Sequence, residues 1–400
     1  MVEDETNTQS KLKNCRLDDY EDRERIAITA GKKALAANPL LFNRANKKSK
    51  GFFFELREND IVHPDYYAVH CVDGVGTKLF LSAWSGNYSL AAIDALAMNA
   101  NDMATAISAL PDTINLYFAV QSQVEEKYMG NIMAGMVKAI EMITVPNAPF
   151  NPNIGKIETA SLDEVVSLGT PGKGWDIAVA LTGYISKYKV PNLNPQAGNI
   201  IVGVSSTGLH SNGYTSARHI LLNPDVECRD EWKSQYKGRF NLNDTPDILP
   251  GKTILQALQE PTAMYLIEAS LIAQELDNRD IYGINITGNG LENFNRVGSL
   301  VSFEITDPLP PLPIHQLLIN EANWKPAEAY LKQNMGMGFA YIVKDLANAE
   351  KIVEIVNRQN RNRAKIVGEV RENNKSEAEI KTIIHKPYQG PVIEYKGYHG

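Results

Sequence analysis

Between Val72 and Asp102 the chain gathers residue types that can do chemistry. An apolar run ends in Asp73, Gly74 and Gly76 let the backbone turn, Thr77 adds a hydroxyl, and Lys78 stands five positions after the acid. Asp94, Asn101 and Asp102 follow at i, i+7 and i+8, which places them on one face of a helix. Ile93, Ala97, Ala100 and Ala104 form its packed side, so the acidic face is expected to look into a cleft or water. Taken together, Asp73, Asp94 and Asp102 would make a carboxylate set for magnesium, a hard cation that prefers oxygen ligands and bridges nucleotide phosphates. Lys78 then has two open roles: neutralising charge during phosphoryl transfer, or pairing with a neighbouring acid.

A second concentration lies at Ser205-Ser206-Thr207-Gly208-Leu209-His210-Ser211-Asn212-Gly213-Tyr214. It follows the apolar run Ile200–Val204 and precedes a helix over 215–222. Such a strand, small-residue turn and helix start can receive an anion, and phosphate is the expected guest. Within it, His210 is placed to touch a phosphate or donate a proton.

Other motifs carry less. Pro250-Gly251-Lys252-Thr253 ends like a P-loop, but Pro246 stands where the first glycine belongs. His63, His219, His315, His385 and His399 show no metal-binding pair spacing and read as surface or packing residues. Met129, Ile132, Met133, Met136, Val137 and Ile140 recur at helical spacing and read as core.

The elements that must hold these residues fall into two halves. Residues 1–18 read as a loosely attached arm, 19–190 as a first α+β domain, 197–372 as a second, and 373–400 as an unassigned extension. The Pro-, Asn- and Gly-rich stretch 187–199 marks the boundary. Helices are expected at 25–41, 89–110, 261–276, 315–323 and 347–359, with strands at 52–54, 67–72, 113–120, 156–161, 177–186, 200–204, 281–287, 300–305, 338–343 and 365–370. Ser89 is the expected cap of the acidic helix, and Pro111-Asp112 its stop. A net charge of −7 and scattered Lys and Arg argue against nucleic acid as a partner. No apolar run approaches a membrane span, and the opening Met1-Val2-Glu3-Asp4-Glu5 does not resemble a signal peptide, so a cytoplasmic location is expected. Three widely spaced cysteines, Cys15, Cys71 and Cys228, read as reduced thiols.

Asp73-Gly74-Val75-Gly76-Thr77-Lys78, the Ile93-Asp94…Asn101-Asp102 helix and Gly208-Leu209-His210-Ser211-Asn212-Gly213-Tyr214 resemble the phosphoribosylformylglycinamidine cyclo-ligase (aminoimidazole ribonucleotide synthetase) family. Supporting matches are Glu158-Thr159, Pro261-Thr262, Ile286-Thr287-Gly288, Glu292-Asn293 with Arg296, and Asn334-Met335-Gly336-Met337-Gly338, in the family's order across roughly 50–370. The resemblance implies a homodimer whose amino-terminal sheets pair into a β-barrel, with a carboxyl-terminal α/β sandwich domain packed against it. It also implies a purine-biosynthesis reaction that uses ATP and Mg2+ on a small nucleotide substrate.

By matching position the resemblance makes His210, Lys78 and Asn212 catalytic. Asp73, Gly74, Gly76, Thr77, Asp94, Asp102, Glu158 and Thr159 would bind ATP or phosphate, with Asp73, Asp94 and Asp102 on the metal. Ser206, Thr207, Gly208, Ser211, Thr287 and Gly288 would bind substrate. Three loops depart from the family pattern: Lys47–Gly51, Lys156–Thr159 and Gly288–Gly290, which makes this a divergent member. The family's amino-terminal lysine has only Lys32 and Lys33 as candidates. Two other uses of such a fold are an ATP-dependent enzyme acting on a different small substrate and a non-catalytic nucleotide-binding paralogue.

Overall fold

Alternating apolar runs and small-residue helices build two sheets with helices between them. The computed structural model describes residues 53–58, 63–168, 170–276, 278–297, 300–373 and 380–397. The expected arm 1–18, the helix 25–41, the loop Lys47–Gly51, Cys15, Lys32 and Lys33 lie outside the described residues.

The first sheet has strands β1 (Glu55–Glu58), β2 (Tyr66–Asp73), β3 (Leu110–Val120), β4 (Asn153–Ser161) and β5 (Trp175–Ser186), in the order β1-β2-β5-β3-β4. Only β3 and β4 run parallel. Helices α1 (Leu79–Ser85), α2 (Ser89–Ala104) and α3 (Ser122–Ile143) belong to this half. Alternation along β5 is strict, with Trp175, Ile177, Val179, Leu181 and Ile185 all buried toward the helices. The other face is open to solvent and carries Val72 and Tyr117, 75% and 43% exposed.

The second half contributes β6 (Ile200–Ser205), α4 (Tyr214–Leu221), α5 (Asp230–Lys233), α6 (Ile254–Leu258), α7 (Leu266–Glu275), β7 (Tyr282–Asn285), β8 (Val301–Ile305), α8 (Pro313–Ala322), α9 (Pro326–Lys332), β9 (Met337–Val343), α10 (Leu346–Arg358), β10 (Ala364–Glu372), β11 (Lys381–Ile384) and β12 (Ile393–Lys396). Its sheet runs β12-β11-β8-β10-β6-β9-β7. The sheet therefore extends past residue 372, where the second domain was expected to end. β11 joins β8 in parallel, and β12 closes the edge.

One apolar core passes through both halves, from Val69, Ala97 and Met136 to Tyr265, Phe339 and Ile352. Helix α7 packs against α2, α3 and α10, while α2 lies on β2 and β5, and α10 on β6 and β10. The fold is thus α+β, two sheets sandwiching a shared helical layer.

Three local expectations are corrected. Helix α2 ends at Ala104, and Leu110-Pro111 already sit in β3 paired with Tyr184 and Gly183, so Pro111 does not end the helix. Ser89 does not cap α2; the Asn131 Oδ1 of α3 accepts from the backbone N–H groups of Tyr88 and Ser89, both at 2.8 Å. The expected helix 261–276 begins only at Leu266. Residues 261–265 form no regular element and grip α2.

Candidate functional site

The polar face of α2 is where the two halves meet. Asp94 is fully buried: Oδ1 accepts from the Thr262 backbone N–H at 2.8 Å and from Thr262 Oγ1 at 2.7 Å. Asn101, also buried, donates to the Ala263 carbonyl at 2.8 Å and accepts from Tyr265 N–H at 3.0 Å. That face therefore docks onto the segment 262–265, rather than looking into a cleft as the spacing alone suggests.

Lys78 belongs to the same clasp. Its Nζ lies 2.9 and 2.8 Å from the two Asp94 oxygens and donates to the carbonyls of His210 at 2.9 Å and Glu260 at 2.8 Å. The ammonium also rests 5.2 Å from the centre of the Tyr214 ring. Burial lowers its pKa, and the Asp94 charge pulls it back up. With its donors consumed, Lys78 is not available to a transferring phosphate; of its two open roles, the structure selects pairing with an acid. Asp94, held by Lys78 and Thr262, is likewise removed from the expected metal set.

His210 is buried as well. It is 2% exposed with φ near +60°, and its ring packs where a Cβ on Gly338 would fall 2.3 Å from Cε1. Burial, then the Lys78 charge and His315, push its pKa down to about 3. The imidazole is neutral near pH 7. The small-residue turn is similarly self-absorbed. Ser206 Oγ donates to Asn334 Oδ1 at 2.9 Å, Thr207 Oγ1 to the Pro261 carbonyl at 2.5 Å, and Ser211 Oγ lies 3.0 Å from Thr262 Oγ1. Asn334 Nδ2 in turn holds the carbonyl of buried Gly208, so the hydroxyls expected on substrate brace the turn instead. Asn212 is half-buried on its rim.

What remains together is Asp73 with Asp102. Asp73 ends β2 exposed, with Oδ1 fixed by the Gly74 N–H at 2.7 Å. Asp102, near the end of α2, accepts from Asn285 Nδ2 at 2.8 Å. Its pKa is raised to about 7, first by burial; the Asn285 bond opposes this, the Asp73 charge adds to it, and Arg296 relieves it. Arg296 lies over the Phe53 ring at 4.3 Å. Asn285 comes from β7 and Arg296 from the segment after it, and neither the Asn285 hydrogen bond nor the Arg296 charge acting on Asp102 was foreseen from the sequence. The turn between them carries Thr287, whose Oγ1 donates to Asn293 Oδ1 at 3.3 Å, and exposed Gly288. Gly290 is required there: φ is +52°, and a Cβ would meet the Tyr330 carbonyl at 2.0 Å.

Glu158 and Thr159 stand apart from this pair. Asp73 aligns across the sheet with Val179, Leu116 and Ile157, three strand spacings or roughly 14 Å to β4. Glu158 is one residue further, so it points to the opposite, solvent face, where it pairs with Lys156 at 2.9 Å. Gly76 and Thr77 are exposed on the turn before α1, and Thr77 Oγ1 lies 3.0 Å from Thr215 Oγ1 of α4.

Among the described residues no group of three or more His, Cys, Asp or Glu is arranged to hold a metal ion. The Asp73–Asp102 pair still fits magnesium, which is commonly held by one or two carboxylates and completed by water and substrate phosphates. The raised pKa of Asp102 marks a carboxylate that a cation would relieve. No helix among the described residues is long and apolar enough to cross a membrane. Lys252-Thr253 is an ordinary helix start: Thr253 and Gln256 form a capping box, and Lys252 pairs with Glu260.

Comparison with known proteins matches residues 58–148 to the AIR synthase related protein N-terminal domain and 196–381 to its C-terminal domain. A phosphoribosylformylglycinamidine cyclo-ligase of Methanococcus vannielii is 31% identical over 336 residues, 83% of this chain and 84% of its own length. Among solved structures, the hydrogenase maturation protein HypE in complex with ATP superposes with a TM-score of 0.51 at 12% identity, over 83% of this chain and 85% of its own. AaThiL complexed with AMPPCP and TMP gives a TM-score of 0.50 at 14% identity, over 96% of this chain and 99% of its own.

Proposed function

The chain belongs to the AIR synthase related protein family in both of its domains, and on that footing we propose that it is the ATP-dependent cyclo-ligase of purine biosynthesis. In this reading the formamide oxygen of formylglycinamidine ribonucleotide takes the γ-phosphoryl group of ATP and ADP departs. An amidine nitrogen then attacks the activated carbon, phosphate leaves with the oxygen, and loss of a proton gives aminoimidazole ribonucleotide. Amide oxygen is a poor leaving group and phosphate a good one, which is why the ring closure needs ATP.

The observation that carries this reading is the likeness, over more than four fifths of both lengths, to a relative bearing that name. The paired carboxylates at the junction of the halves suit it. Asp73 and Asp102 would hold magnesium, and the ion when bound offsets charge on the phosphates. Asn285 fixes the rotamer of Asp102, and Arg296 brings positive charge to the same place. Thr287 and Gly288, beside them, are our candidates for the substrate side. The ATP bound to HypE and the AMPPCP bound to AaThiL fit nucleotide use by a fold of this kind.

The exposed face of the first sheet, with Val72 and Tyr117 outward, fits the pairing of two copies into a barrel. Glu158 and Thr159, on the edge strand, then lie beside that interface as nucleotide contacts.

The test is an assay of ADP release and aminoimidazole product by the purified protein with magnesium-ATP, with and without formylglycinamidine ribonucleotide. Substrate-dependent ADP matched by product supports the proposal. ATP binding with no turnover of this substrate sinks it in favour of another substrate.

A further inference from the structure

Arg218 is a buried cation that no carboxylate among the described residues pairs with. Only 3% exposed, it projects from α4 between aromatic rings, its guanidinium carbon 4.0 Å from the centre of Phe80 and 5.9 Å from that of Tyr236. Nη1 donates to the Tyr236 hydroxyl at 2.5 Å, and among the described residues Nε–H meets no acceptor and no Asp or Glu pairs with the side chain. Buried guanidinium groups are ordinarily matched by carboxylate or phosphate, and cation–π contact offsets only part of the desolvation. A negatively charged group placed here would offset that desolvation.

Space for it lies alongside. Arg218 lines a pocket of about 210 Å³ with Thr77, Phe80, Thr215, His219, Trp232, Gln235 and Tyr236. Thr77 and Thr215 face each other across the junction of the two halves. The side chains combine one fixed positive charge with hydroxyl and amide donors, and Phe80 and Trp232, 6.0 Å apart and edge to face, supply an apolar wall. His219 contributes no charge at neutral pH, since burial and then the Arg218 charge push it down to about 4. At about 210 Å³ the pocket lies below the roughly 300–1,000 Å³ of drug-sized ligand sites and has room for an oxyanion with a short organic body. None of these residues belongs to the Asp73–Asp102 pair.

We infer that this pocket is a second ligand site, which binds a small oxyanion, a phosphomonoester or carboxylate, on the Arg218 guanidinium. Planar guanidinium donors match either anion, and Thr77, Thr215 and Gln235 complete the set. Trp232 makes the site observable. The full-length protein is titrated with sodium phosphate and, separately, sodium acetate, against sodium chloride of equal ionic strength, following tryptophan emission and thermal unfolding.

The expected result is a saturable response to phosphate or acetate that chloride does not reproduce, the stronger of the two naming the anion class. Arg218→Met should weaken it about ten- to hundredfold, the worth of a charge-assisted hydrogen bond. If Arg218→Met fails to fold, Thr215→Val and Gln235→Ala carry the same expectation with a smaller loss, and Trp232→Phe should abolish the emission change while leaving the thermal shift. Asp102→Asn should leave the response intact, which separates this site from the nucleotide site proposed above. No saturable response in the wild type, or a response unchanged in all the pocket variants, overturns the inference.

Discussion

Replacing Asp94 by asparagine separates two roles that one carboxylate can play. If Asp94 is the counter-ion of Lys78, the asparagine keeps an oxygen for Thr262 but leaves the ammonium buried with only neutral oxygens around it. Breaking a buried pair from one side costs about 3–5 kcal/mol, because the remaining charge is uncompensated. Against a total stability of roughly 5–15 kcal/mol, that is a loss of at least a fifth and enough to unfold a marginal protein. Lys78→Met should cost a similar amount by leaving the Asp94 carboxylate buried. The double variant Lys78→Met/Asp94→Asn removes both charges, so it should lose less than the sum of the singles by about 0.5–3 kcal/mol. Urea unfolding of the four proteins measures all three quantities. An Asp94→Asn protein that unfolds at the wild-type urea concentration yet no longer binds nucleotide with magnesium would refute the structural role and return Asp94 to the metal.

Further outcomes test the rest of the site. Asp73→Asn should abolish magnesium-dependent ATP binding with little change in stability, because Asp73 is exposed at the end of its strand; calorimetric titration decides, and unaltered binding removes it from the site. Asp102 has a folded pKa of about 7 against an ordinary value of 3.8, so the folded state holds its proton more tightly. Stability from this group is full below about pH 4 and is lost as pH rises through about 7, and Asp102→Asn should flatten that limb in urea titrations at pH 5 and 8 without magnesium. A Cβ on Gly338 would stand 2.1 Å from the Tyr265 hydroxyl and 2.3 Å from His210 Cε1, so Gly338→Ala should destabilise by about 1–3 kcal/mol in the same assay. Val72→Glu on the open sheet face should convert a dimer to monomer in light scattering, and a wild type that is already monomeric ends that part of the proposal.

The strand positions were legible because alternation in a half-buried strand is a period-two signal, as in Trp175–Ser186. Resemblance at Asp73–Lys78 and Gly208–Tyr214 pointed to the family that the comparisons then matched. What periodicity does not encode is which partner a polar residue meets. Asp94, Asn101 and Asp102 do share a face, as their spacing requires, but a polar face can meet water, a ligand or another segment of chain. Here Thr262, Ala263 and Tyr265 meet the first two residues, and only Asp102 is left beside Asp73. The same ambiguity surrounds His210 and hid Arg218. A histidine in a glycine turn looks catalytic until Gly338 and Tyr265 close over it. An arginine in an ordinary helix looks like a solvated charge until Phe80 arrives from 138 residues earlier and takes the water away.

These contacts are consequences of one arrangement. Lys78, Asp94, Thr262 and Asn101 lock the halves through buried polar bonds, which fix geometry more sharply than apolar contact does because each unmade bond carries its own desolvation cost. Rigid docking at that point places Asp102 of the first half against Asn285 and near Arg296 of the second, and it closes Phe80 over Arg218. A clasp of this kind predicts that the family motif residues Lys78 and Asp94 act on the proposed chemistry by positioning, so conservative replacements there should lower stability and turnover together. Replacements at Asp73 should lower turnover alone. That split, read from unfolding and activity on the same set of variants, distinguishes the clasp from the site it holds.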